Sequence, residues 1–214
     1  MVYCERNNVE IEYGKMLKWF QHNHPDKIDQ LIESLSPNQI ECKKWVATEL
    51  EALWLDKKWD IHIEQIGGWF GWPLLRYIKH LPVQSYRNVD KDQFATQVFN
   101  QYVKFFEPSF ETTSVNEDIV DLRENNASRR TRVVINTSCE HMRPMPEVLK
   151  SRGYIDEKVV FFLQSNNMIE EPSHINCVKS VEELIKQNKI EKVYYAGEKD
   201  MGHYKRFMVV GKWK

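Results

Sequence analysis

Apolar residues early in the chain recur at helical spacing. Ile28, Leu31, Ile32 and Leu35 fall at i, i+3, i+4 and i+7 and predict one short helix with a single apolar stripe. Ser36, Pro37 and Gln39 then supply an N-cap, a proline at the first helical position and the return partner of a capping box. Ile40, Ala47, Leu50 and Trp54 continue that second helical face, and a further helix is expected around Tyr13 to Gln21. From Asp60 the period changes. Ile61 to Ile66 reads as a strand that breaks into Gly67, Gly68, Trp69, Phe70 and Gly71, before a helical segment through Leu74, Leu75 and Ile78. Ser85 to Val89 is a strand ending at Asp90, and Phe94, Val98, Tyr102 and Phe105 follow at helical spacing. Phe110 to Val115, Val133 to Ile135 and Val159 to Leu163 are further strands, the last followed by the polar run Gln164, Ser165, Asn166, Asn167. Ser180 and Glu183 form a capping box that opens a helix through Ile185. Lys192 to Ala196 and Arg206 to Val210 lie too close for a helix between them and predict an antiparallel hairpin.

Strand and helix thus alternate from about residue 60 to 190, and right-handed crossovers turn that alternation into a parallel sheet covered on both faces. The expected fold is α/β: a Rossmann-like, mostly parallel sheet with helices on both faces and a C-terminal antiparallel hairpin. An N-terminal helical cap or lid over residues 1–58 precedes a cofactor-binding domain over 59–214. The cap is expected to be dispensable for closing the sheet. Residues 123–132 are the expected surface connection.

Ligands of such sheets bind beyond the carboxyl ends of the strands, where strand order reverses. Four strand ends here carry small or polar residues. Gly67 to Gly71 permits a sharp turn and close backbone approach, with helix N–H groups following. Asp90 places a carboxylate where it accepts from ribose hydroxyls, although with Gln93 it also reads as a helix cap. Asn116, Glu117 and Asp118 suit an adenine edge or a solvated turn. Asn136 to His141 gathers an amide, two hydroxyls, a thiol, a carboxylate and an imidazole, and the adjacent Glu140 and His141 suit proton transfer.

Lysine plus arginine number 30 against 31 aspartate plus glutamate, so no whole-chain field draws in nucleic acid or an anionic membrane. A nucleic-acid partner would have to use a local patch such as Arg129, Arg130 and Arg132. Cys4, Cys42, Cys139 and Cys177 show no finger spacing, which fits reduced thiols in a cytoplasmic setting and leaves no metal expected. No apolar stretch reaches membrane-spanning length, and Met1 leads into Glu5, Arg6 and Asn7 rather than a signal core.

At the segment Gln65, Ile66, Gly67, Gly68, Trp69, Phe70, Gly71 the chain resembles class I S-adenosylmethionine-dependent methyltransferases, by order of elements more than by identity. That family carries acidic-x-Gly-x-Gly-x-Gly there. The first and third glycines match Gly67 and Gly71, whereas Gln65 replaces the acid and Trp69 the middle glycine. The resemblance implies S-adenosylmethionine as cofactor, Asp90 as the ribose acid, Asp118 as the adenine-site acid, and Asn136 and Thr137 as the entry to the catalytic motif. No Asn-Pro-Pro-aromatic motif is present there, so the acceptor stays open, small molecule or macromolecule. GGWFGWP, NTSCEHM and FLQSNN are also similar to segments of small phage and marine bacterial proteins described as methyltransferases. Within this reading the cofactor contacts are Gly67, Gly68, Trp69, Phe70, Gly71, Asp90, Asp118 and Asn136. Glu140 and His141 are the catalytic candidates, and Tyr13 and Trp72 wall the acceptor pocket.

Four other readings compete: a nicotinamide-dependent reductase, which lacks the first fingerprint glycine because Ile66 stands there; a transferase of the aminocarboxypropyl group; a degenerate nucleotide-binding or interaction module; and a Cys139–His141 nucleophilic site.

Overall fold

The computed structural model describes residues 2–119, 121, 132–150 and 159–213; the side chains of residues 2–11, 132, 148 and 150 are not among the described groups. The elements in chain order are α1 (Val2–Asn23), α2 (Ile28–Ser34), α3 (Pro37–Lys57), β1 (Ile61–Ile66), α4 (Leu74–Tyr77), β2 (Val83–Asp90), α5 (Gln93–Phe106), β3 (Glu111–Asn116), β4 (Arg132–Asn136), α6 (Met145–Lys150), β5 (Val160–Asn166), α7 (Val181–Gln187), β6 (Lys192–Asp200) and β7 (Lys205–Lys212).

The strands form one seven-stranded sheet in the order β3-β2-β1-β4-β5-β7-β6. The first five run parallel; β7 lies antiparallel between β5 and β6. The terminal hairpin therefore forms as expected, with its second strand taking the inner place. Strand order reverses between β1 and β4, which puts the switch point beside the Gly67 loop.

Successive strand residues point to opposite faces, and two separate cores divide them accordingly. Val160, Phe162, Met208 and Val210 join one core with Leu50, Leu74, Phe99 and Tyr102. Phe161, Leu163, Phe207 and Val209 join the other with Leu149, Leu184 and Trp213. Helices α1 to α5 supply the first core, and α6 and α7 the second.

The expectation that the sheet closes without its N-terminal helices is corrected here. Met16 and Phe20 of α1 and Val46 and Leu50 of α3 are fully buried in the first core. At about 1.5–3 kcal/mol for each such side chain, these helices are part of what holds that face together. Ser36 caps α3 as predicted, accepting from the Gln39 N–H at 3.4 Å, but the Gln39 side chain turns to accept from Lys43 instead of closing a box. Helix α4 is a single turn, so the glycine loop leads into no long helix. The polar run after Leu163 continues strand β5 through Asn166 and is buried. The expected 123–132 connection, with Arg129 and Arg130 and the Arg132 side chain, lies outside the described groups. Among the described residues no helix is long and apolar enough to cross a membrane.

Candidate functional site

A crevice of about 590 Å³ opens at the carboxyl ends of β1, β2 and β3 and the turn after β4. Ile66, Gly67 and Trp69 line it from β1 and its loop, and Val89, Asp90 and Lys91 from β2. Glu117, Asp118 and Ile119 follow β3, while Ser138, His141, Met142 and Arg143 follow β4. Ile175, from the segment after β5, and Glu33 and Gln39, from the N-terminal helices, complete the rim. The volume falls in the range of small-molecule sites, and the lining joins apolar residues to carboxylates and basic groups.

Asp90 ties the strand ends together. Its Oδ2 accepts from the Trp69 backbone N–H at 2.7 Å and its Oδ1 from the Asp92 N–H at 2.9 Å. Burial pushes its carboxyl above the ordinary carboxylate value, and these two donors pull the other way. Asp92, not Asp90, caps α5, accepting from the Phe94 N–H at 2.8 Å. Each carboxylate oxygen of Asp90 keeps acceptor capacity beyond its one backbone donor. Glu117 stands beside it, its N–H donating to the Asp90 carbonyl at 3.1 Å. The Glu117 Oε2 is sealed from solvent without a hydrogen-bond partner among the described residues.

The glycines of the loop serve different ends. Gly67 has φ +60°, in the left-handed region, and a Cβ there would meet only the flexible end of Met142. Gly68 is required by its neighbour: a Cβ would lie 1.9 Å from Asn88 Oδ1. Asn88 in turn donates to the Trp69 carbonyl at 2.9 Å. Gly71, at φ +72°, packs on the Phe99 ring. Gln65 is buried and accepts from the Tyr86 hydroxyl, so the residue replacing the family acid points into the core. Trp69 forms a wall of the crevice, stacked on Phe70, and leaves the space open.

Several predicted site residues stand off the crevice. Phe70 and Trp72 are in the first core; Trp72 donates to Ser34 Oγ at 2.7 Å and packs edge-on against Tyr102. Tyr13 sits edge-on to Trp72, its hydroxyl pushed up to about 12 by burial. Asn136 is fully buried; its Oδ1 accepts from the Ser138 N–H at 2.8 Å and its amide contacts the sulfurs of Met142 and Met145. It shapes the turn that presents His141 and Met142. Cys139 is buried, and burial pushes its thiol well above the ordinary value, which removes the Cys139–His141 nucleophile.

Glu140 also turns inward. Its Oε1 accepts from Arg206 Nη1 at 3.1 Å and Asn166 Nδ2 at 2.9 Å. Arg206 further donates to Gln164 Oε1 at 3.2 Å and to the Thr137 carbonyl. Burial opposes the guanidinium charge, but the Glu140 carboxylate and neighbouring groups more than offset it and hold Arg206 above its ordinary value. Lys43 is buried nearby, and desolvation brings its ammonium down to about 8. Gly67, Trp69, Asp90, Asp118 and His141 are thus the predicted residues that meet at the crevice. Glu33, Gln39, Ile119, Arg143 and Ile175 reach it with no local sequence signal.

No family model matches the chain, and no curated protein matches its sequence. Solved structures share its architecture at low identity. It superposes on the plantazolicin methyltransferase BpumL in complex with S-adenosylhomocysteine at TM-score 0.59 and 14% identity, covering 98% of this chain and 99% of that one. For the Synechocystis magnesium protoporphyrin IX methyltransferase with bound S-adenosylhomocysteine the values are 0.60, 9%, 92% and 97%. For M. capricolum TrmK in complex with the same product they are 0.52, 13%, 72% and 62%, so the chain spans under two thirds of that protein. With β7 inverted between β5 and β6 and the crevice at the β1–β4 switch point, the fold is that of the class I S-adenosylmethionine-dependent methyltransferases.

Proposed function

We propose that the chain is an S-adenosylmethionine-dependent methyltransferase acting on an acceptor yet to be identified. The observation that carries this reading is that Asp90 and Glu117 stand side by side on the lining of a 590 Å³ crevice at the switch point, one carboxylate retaining acceptor capacity and the other having an oxygen with no hydrogen-bond partner among the described residues. That set of acceptors fits an adenosyl ligand: Asp90 suits the ribose hydroxyls, Glu117 and Asp118 an adenine amino group, and Ile66, Val89 and Ile119 the faces of the base. Gly67 and Met142 both line the crevice, and the absence of a Cβ at Gly67 lets the Met142 methyl pack against its backbone. Such a cofactor supplies an already activated methyl group on a sulfonium.

The chain's own task is then to orient the acceptor and shed water. Trp69 offers an aromatic wall of the kind that attracts a cationic sulfonium. His141 is the acceptor-side group: its Nδ1 lies 3.1 Å from the Ser173 carbonyl, which leaves Nε2 with the free lone pair. Glu33 and Gln39 give residues 1–58 a capping role at the rim, in addition to their part in the core. Glu140 acts through Arg206 and the turn, positioning His141.

Calorimetric titration with S-adenosylhomocysteine tests the reading. The wild-type chain is expected to bind one equivalent, and Asp90→Ala and Glu117→Gln each to weaken binding at least about tenfold, the worth of one hydrogen bond to a charged group. Absence of wild-type binding, in a chain that melts cooperatively, would refute it and favour the non-catalytic module.

A further inference from the structure

Glu140, His141 and His174 each present one ligand atom, and these three atoms lie within 4.8 Å of one another. Two stretches distant in sequence bring them together: the turn after β4 and the segment after β5. The Ile175 and Asn176 N–H groups fasten the second to the first by donating to the Glu140 carbonyl at 2.8 and 3.0 Å.

The two imidazoles are set in the same way. His141 Nδ1 lies 3.1 Å from the Ser173 carbonyl, and His174 Nδ1 lies 3.1 Å from the Met168 carbonyl. A carbonyl only accepts, so Nδ1 carries a proton in each ring, and in the neutral imidazole Nε2 then offers the lone pair. Metal-ligating histidines are held in this way, the far N–H fixed to a carbonyl that sets tautomer and ring plane.

Glu140 supplies an independent pointer. Its Oε1 is taken by Arg206 and Asn166, while Oε2 is buried with no hydrogen-bond partner among the described residues, on a side chain 4% exposed. A buried carboxylate oxygen left unpartnered is costly, and a cation bound there removes that cost.

We infer that Glu140, His141 and His174 bind one first-row divalent transition-metal ion of the zinc class. Two imidazoles and one carboxylate suit Zn²⁺, Co²⁺ or Fe²⁺; Mg²⁺ and Ca²⁺ prefer oxygen shells. Bonds of about 2.0–2.2 Å place tetrahedral ligands roughly 3.4 Å apart, so the cluster must close slightly, and the exposed His141 is the side chain free to turn. Three protein ligands leave a fourth position, and His141 borders the crevice. Resting on the methyl-transfer reading, that position would hold an acceptor oxygen and ease loss of its proton. Arg206 and Lys43 add positive charge nearby, so the site is weaker than a closed structural zinc centre. The cysteine spacing that argued against a metal does not bear on a site assembled from these elements.

Co²⁺ titration of the untagged, metal-stripped chain, followed by visible d–d absorption and repeated by calorimetry with Zn²⁺, tests the inference without any cofactor. One equivalent is expected to bind. His141→Ala and His174→Ala should each weaken binding at least about 100-fold, the upper end of what loss of a supporting second-shell contact costs. His203→Ala, on the exposed β6–β7 turn, should leave it unchanged, and thermal melts check that each variant is folded. No stoichiometric Co²⁺ binding by the wild type, or binding that survives both site substitutions, overturns the inference. Titration with S-adenosylhomocysteine separates it from the methyltransferase reading: cofactor binding without metal binding defeats this inference alone, and the reverse defeats that reading alone.

Discussion

Replacing Arg206 by methionine tests the buried polar node directly. The guanidinium meets Glu140, Gln164 and the Thr137 carbonyl from a position 7% exposed. Methionine keeps much of the volume and none of the donors. The Glu140 carboxylate is then left, among the described residues, with Asn166 Nδ2 as its one side-chain donor, at a position 3% exposed. Removing one partner of a buried ion pair costs about 3–5 kcal/mol, mostly because the other charge is stranded. A chain of this size loses roughly 2–4 °C of Tm per kcal/mol, so the melt should fall by about 6–20 °C. Arg206→Lys keeps the charge but cannot span three acceptors, and should recover roughly half of that loss. Urea unfolding followed by circular dichroism, with thermal melts alongside, measures both. A Tm for Arg206→Met within about 3 °C of wild type would show that the pair is solvated or uncoupled, and the account of Glu140 as a structural anchor would fail.

Two further substitutions probe the surroundings of the crevice. Lys43 titrates near 8 in the folded chain against an ordinary 10.5 because burial disfavours its charge. Between those values the unfolded chain binds a proton that the folded one lacks, so stability rises with pH across that window, by about 3 kcal/mol in total. Unfolding at a series of pH values should show the wild-type slope exceeding that of Lys43→Met; equal slopes would contradict the burial argument. Gly68→Ala drives a methyl group against Asn88, which is held by its bond to the Trp69 carbonyl, and should cost about 1–3 kcal/mol, read as a lower urea midpoint at constant m-value. An unchanged midpoint would mean that Asn88 moves aside freely.

Much of the frame was legible because it repeats along the chain. Ile61–Ile66, the helix through Phe94, Val98 and Tyr102, and the closing hairpin were visible as periods of two or 3.6 residues. Asp90 was legible as a carboxylate at a strand end, and it does stand at the crevice. Other residues were not readable in this way. Glu140 and His141 are neighbours in sequence, but an arginine 66 residues from Glu140 draws that side chain inward while His141 stays at the rim. Trp72 belongs to the core because Ser34, 38 residues earlier, accepts its indole N–H.

The alternation of apolar runs thus determined by itself that the chain forms a covered, mostly parallel sheet with small and polar residues at its strand ends, since backbone geometry and burial act locally. Which of those residues face the crevice was decided only in three dimensions. A side chain's direction there depends on partners such as Arg206 and Ser34, and on the segment after β5 that carries His174 to His141. Long-range pairing of this kind leaves no spacing in the sequence.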